Sequence, residues 1–154
     1  MLSAMKFIAS LLTVLVASTL TLSNARAADA DWQTDYKAAL AQAAKEKKSV
    51  LLDFTGSDWC GWCIKLDKET FSESRFKNFA KNNLVLVEVD FPQKKTQSAE
   101  LKEQNEALSK QYGVEGFPTL VLLNSEGKEI ARNVGYLPGG PDGFMKWVKA
   151  AEKN

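Results

Sequence analysis

Two runs of the chain are apolar almost without interruption, Ser49 to Thr55 (SVLLDFT) and Leu84 to Asp90 (LVLVEVD). Runs of this length without alternation mark strands covered on both faces, as in a sheet with helices above and below it. Thr119 to Leu123 is a third such run. Beyond the turn Asn124-Ser125-Glu126-Gly127, a strand from about Glu129 to Val134 completes a hairpin whose short loop carries a glycine.

Between these runs the apolar spacing is helical. Trp32, Tyr36, Ala39, Leu40 and Ala43 share one face of a helix predicted over Trp32 to Lys47. Asp29 and Asp31 can cap its start, and Lys45, Lys47 and Lys48 suit the negative end of its dipole. A helix beginning at Cys60 is expected to break near Thr70. Ser72 or Ser74 can cap the next one, where Phe76, Phe79 and Ala80 fall together. Ser98 can cap a helix to Tyr112, closed by Gly113. Asp142 can cap a last helix with Phe144, Trp147, Val148 and Ala151 at i, i+3, i+4 and i+7. Phe91 to Ser98 and Gly135 to Pro141 read as loops. Strands alternating with helices and ending in a hairpin imply an α/β fold: a mixed, mostly parallel central sheet with helices on both faces and a C-terminal helix.

The first 27 residues stand apart. Lys6, the apolar run Phe7 to Leu22 and the small-residue site Ala25-Arg26-Ala27 read as a signal peptide cleaved after Ala27. Residues 28–154 then form one domain, without repeat or linker. An uncleaved membrane anchor is the rival reading, but it needs roughly 20 apolar residues, and here Ser10, Thr13, Ser18, Thr19 and Thr21 interrupt the run. The expected location is periplasmic or secreted. The whole chain carries 20 basic and 19 acidic residues. Loss of Lys6 and Arg26 moves the formal balance from +1 to −1, which gives no electrostatic footprint for nucleic acid.

The chain has two cysteines and no histidine. Catalysis through Ser-His or Cys-His pairs is therefore excluded, as is any metal site that depends on imidazole. Cys60 and Cys63 flank Gly61-Trp62, and thiols at i and i+3 on a first helical turn can join reversibly after small local adjustment. Cys60, at the helix start, meets unpaired N–H groups that favour its thiolate, so it reads as the attacking sulfur. Cys63, one turn deeper, reads as the resolving thiol that breaks a mixed disulfide with a client. A purely structural disulfide is the bland alternative, though a four-residue loop is a poor place for a staple. Zinc is a weaker one, since two thiolates supply half a tetrahedral site.

The run LLDFTGSDWCGWCIKLDKETF, the later YGVEGFPT and the closing Asn133-Val134-Gly135 together resemble the thioredoxin family over nearly all of Trp32 to Lys153. Within it, KLDKETFSES is similar to the C-terminal domain of the bacterial transmembrane thiol-disulfide interchange protein and to small exported thioredoxin-like proteins. The resemblance implies a thioredoxin fold and dithiol–disulfide exchange that needs neither metal nor cofactor. It also implies client proteins bearing thiols or disulfides, a membrane thiol-disulfide electron donor, and action as a monomer. Cys60 and Cys63 match the redox pair and Pro118 the family's cis-proline, which would aim the backbone of Phe117 at a client strand. An ordinary strand-edge proline is the alternative.

Asp53 resembles the family's buried acid, set one residue further from Cys60. It reads either as a proton acceptor for Cys63 through water or as a satisfied strand-end carboxylate. The family's lysine partner for this acid aligns with Leu86, and the family's first strand has no evident counterpart. Trp59 is expected to shield the site, and Trp62, with Gly61 beside it, to sit partly exposed against a client. Trp32 and Trp147 are expected in the core. Asp58, near Cys60, would oppose a thiolate there. The expected function is an exported thiol-disulfide oxidoreductase of reductase or isomerase type; the competing class is a redox-silent peptide-binding module on the same fold.

Overall fold

The computed structural model describes residues 30–153. The signal segment, its cleavage site and Asp29 lie outside the described residues. The elements in order are β1 (Trp32–Gln33), α1 (Tyr36–Glu46), β2 (Ser49–Thr55), α2 (Gly61–Leu66), a π-turn at Asp67–Phe71, α3 (Ser74–Asn83), β3 (Leu84–Asp90), α4 (Ala99–Gln111), β4 (Thr119–Leu123), β5 (Glu129–Val134) and α5 (Gly140–Ala151). They build one sheet of order β1-β3-β2-β4-β5. β1 and β2 run parallel to β3, while β4 lies antiparallel to both β2 and β5.

The apolar runs occupy the middle of the sheet because both of their faces are covered. On one face Val50, Leu52 and Phe54 of β2 pack with Val85, Val87 and Val89 of β3 against Ala39, Ala43 and Leu108 of α1 and α4. On the other, Leu51, Leu84 and Leu86 pack with Leu120 and Leu122 of β4 against Leu66, Phe76, Phe144 and Val148. That second face carries α2, α3 and α5, and the dithiol helix sits on it. Trp32 and Trp147 are half-buried and pack on this second cluster.

The chain start differs from expectation. Trp32 and Gln33 form a short parallel strand against Leu86 and Val87 of β3, so the family's first strand is present in abbreviated form. Trp32 was drawn out of the helix because its ring meets Phe71 at 5.1 Å between centroids. α1 therefore begins at Tyr36, and its cap is Asp35, whose carboxylate accepts from the Ala38 N–H at 2.9 Å. Two other caps also move. α3 follows Glu73 without a side-chain cap, in place of Ser72 or Ser74. α5 follows Gly139, at φ 94°, and Asp142 lies inside its first turn, paired with Arg75 at 2.6 Å. Ser98 does cap α4, accepting from Leu101 N–H at 3.2 Å.

Candidate active site

Cys60 caps α2 and Cys63 lies in its first turn. The two are joined in a disulfide with Cα atoms 5.2 Å apart. The Cys63 N–H is aimed at Cys60 Sγ, 3.2 Å away, which is the donor an incipient thiolate on that sulfur would use. The turn before the helix is closed by the Gly56 carbonyl, which accepts from the N–H groups of Trp59 (3.2 Å) and Cys60 (2.8 Å). Both cysteines are buried. The surface around them is aromatic: Trp59 is 40% exposed and Trp62 59%.

The Phe117-Pro118 peptide bond is cis. Trp59 and Phe117, the residues immediately preceding Cys60 and Pro118, meet edge to face at 6.0 Å, which brings the disulfide turn beside the proline loop. Phe117 also stacks on Phe91 at 5.1 Å, and Trp59 Nε1–H donates to the Phe91 carbonyl at 2.7 Å. Three separate loops thus converge on one aromatic seam. The Pro118 carbonyl accepts from Gly135 N–H at 2.7 Å, tying the end of β5 to the same place. Trp62 turns the other way, onto Tyr136 at 5.6 Å, and Gly61 stands in open space.

Asp53 is buried on β2, on the sheet face that carries α2, since Leu51 two residues earlier belongs to that face. Its Oδ1 has no hydrogen-bond partner among the described residues. Burial, with the nearby charges of Glu88, Asp67 and Asp90, pushes its pKa well above the ordinary range. Its partner across the parallel ladder is Glu88, and Leu86 stands opposite Leu51 instead. Where a cation would have held Asp53 ionised, a second acid helps to keep it protonated. Glu88 is itself raised by burial and by Asp90, against the pull of Lys95.

The model of the thioredoxin-like domain matches residues 36–152. The chain belongs to the thioredoxin-like family. It is 46% identical over 127 residues to the disulfide bond reductase DsbH of Chlamydia pneumoniae, a match that covers 82% of this chain and 75% of that protein. A solved structure titled DsbH oxidoreductase superposes with TM-score 0.76 at 44% identity, covering 89% of this chain and 96% of that one. The thiol:disulfide interchange protein DsbD of Vibrio cholerae is 32% identical over 110 residues, 70% of this chain but 17% of its own length. With its paired cysteines at a helix start, this thioredoxin-like chain is a thiol-disulfide oxidoreductase.

Several roles at the site rest on tertiary contacts. The Asp58 carboxylate accepts from the backbone N–H groups of Gln93, Lys94 and Lys95 at 2.9, 2.7 and 2.9 Å, and those bonds lower its pKa. They order the loop that carries Phe91. Gly56 is required because a Cβ there would stand 2.5 Å from the Trp59 ring. Glu88 and Tyr136 lie outside the quoted motifs and meet the site across the sheet and from a distant loop; Lys65 and Glu69 lie within them, but their contacts with Tyr136 depend on that same loop.

Proposed function

We propose that this chain is an exported disulfide reductase in which Cys60 attacks and Cys63 resolves. The observation that carries this reading is the Cys60–Cys63 pair at the start of α2, with the Cys63 N–H on Cys60 Sγ. The Cys60 thiolate attacks one sulfur of a client disulfide, forming a mixed disulfide and releasing the other client sulfur as a thiolate. The Cys63 thiolate then attacks Cys60 Sγ, closing the protein disulfide and releasing the second client thiol. Two electrons and two protons pass from the dithiol to the client. A membrane protein carrying a dithiol restores the reduced pair by the reverse sequence; the likeness to part of DsbD supports that class of donor.

In this reading Phe117 and cis-Pro118 present backbone to an extended client segment, with Trp59, Gly61 and Trp62 bordering it. Asp53, held protonated on the face under α2, gives its proton to the Cys63 thiolate as the disulfide opens, and the carboxylate so formed takes a proton back from the Cys63 thiol as the disulfide closes. Residues 1–27 direct export and are removed, leaving a monomeric domain from residue 28 in the periplasm or outside the cell. The reducing direction is supported by the name of the Chlamydia pneumoniae relative and by the absence of a charged side chain at Gly61-Trp62. The test is reduction of insulin by the dithiol-loaded mature domain, followed as turbidity. Turnover lost in Cys60→Ser supports the reading; turnover retained in that variant, or absent from the wild-type domain, overturns it.

A further inference from the structure

Trp62 is more exposed than Trp59, yet its indole is not left to swing. The ring lies against Tyr136, 5.6 Å between centroids at 41°. Lys65 Nζ stands over both rings, 5.3 Å from the Trp62 centroid and 4.9 Å from that of Tyr136. The Tyr136 hydroxyl donates to the Glu69 carboxylate, which raises the Tyr136 pKa. Tyr136 directly follows Gly135, the residue bonded to the Pro118 carbonyl. One continuous path therefore runs from the π-turn after α2, through Glu69 and Tyr136, to the cis-proline loop, and Trp62 is seated on it.

Tyr136 itself packs against the second core cluster, while the three side chains that meet it belong to the surface. Trp62, Lys65 and Glu69 are exposed on successive helical turns, where long side chains ordinarily keep their rotamer freedom. A brace that holds an exposed indole beside a redox pair has its effect on whatever docks there, because a wall fixed in advance costs a ligand less ordering than one that must be fixed on binding.

We propose that Tyr136, anchored by Glu69 and bridged by Lys65, is a positioning residue that fixes the Trp62 indole as one wall of the client site, so that polypeptide disulfides depend on it more than small disulfides do. The proposal rests on the reductase reading above and names the substrate class that the same site prefers: a disulfide carried on an extended polypeptide long enough to lie along Trp62.

The experiment compares a peptide disulfide with 5,5′-dithiobis(2-nitrobenzoate) as substrates of the dithiol-loaded protein. Tyr136→Ala should raise KM for the peptide about three- to tenfold, the range of one lost aromatic contact, with a smaller change in kcat. Its loss on the small disulfide should be several-fold less. Tyr136→Phe, which keeps the ring and gives up the bond to Glu69, should restore most of the peptide KM; Glu69→Ala should behave like Tyr136→Phe. If Tyr136→Ala does not fold, Lys65→Gln supplies the same comparison, with a smaller KM rise expected. Equal losses on both substrates, or a peptide KM that does not move in any variant, overturn the inference. A wild-type protein that reduces neither disulfide overturns the reductase reading itself, which keeps the two failures distinct.

Discussion

Asp53 on β2 stands in register with Glu88 on the neighbouring parallel strand. The buried acid of this thioredoxin-like chain thus faces a carboxyl group across the ladder. Both groups are raised by burial and by one another's neighbourhood of acids, so the interior beneath the dithiol helix favours a bound proton.

Stability should therefore fall as pH rises. Asp53 keeps its proton in the folded chain but ionises in the unfolded chain above the ordinary value of 3.8. Above that pH the folded state binds the extra proton, and each further unit costs about 1.4 kcal/mol until the folded pKa is reached. Asp53→Asn removes the penalty. It should be more stable than wild type at pH 7, with the gain vanishing as pH approaches 4. Urea unfolding across this range checks it, and a gain that persists at low pH would contradict it.

Glu88→Gln should lower the pH at which Asp53 ionises, and Glu88→Lys should lower it further, because an adjacent cation favours the carboxylate. Carboxyl carbon chemical shifts of Asp53 against pH give the answer directly. An unchanged Asp53 titration in both variants would show that the two acids in register do not sense each other.

The two cysteines should divide their labour. Cys63→Ser should accumulate mixed disulfides with client protein, since nothing resolves them, while Cys60→Ser should accumulate none. Non-reducing gels after mixing with an unfolded disulfide-bearing protein distinguish the cases. Trapping by Cys60→Ser would reverse the assignment.

Gly56→Ala should lose about 1–3 kcal/mol, the usual cost of overpacking. Its new Cβ would lie 2.5 Å from Trp59 Cε2, and the ring cannot retreat without giving up its bond to the Phe91 carbonyl. Urea unfolding together with Trp59 fluorescence reports both effects. A variant of wild-type stability would mean that the seam yields freely.

Trp62→His should make the pair more oxidising, because a protonatable donor beside Cys60 favours its thiolate and so the reduced form. Equilibration with glutathione measures the shift. Asp58 is already engaged by three backbone N–H groups, so Asp58→Asn should act mainly by loosening the 93–95 loop.

The sequence by itself determined four of the five strands of the sheet. Ser49–Thr55, Leu84–Asp90, Thr119–Leu123 and Glu129–Val134 match their expected limits, because a strand covered on both faces, or closed by a hairpin, writes its burial into consecutive residues. The Cys-Gly-Trp-Cys turn and the proline before β4 were legible for a similar reason: their chemistry is local. Caps and starts of helices were less so. Asp35 displaced neighbours of equal capping aptitude, Glu73 and Gly139 stand where better-capping serines and an aspartate were available, and Trp32 left its predicted helix for β1, because packing against Phe71 and Phe76 outweighs local preference. Only the tertiary structure decided what faces what. Glu88 opposite Asp53 depends on ladder register, Asp58 under the 93–95 loop on a distant turn, and Tyr136 beneath Trp62 on the loop after β5. Each pairs residues far apart in the chain, and such contacts are selected by the closing of the sheet and not by any periodicity along it.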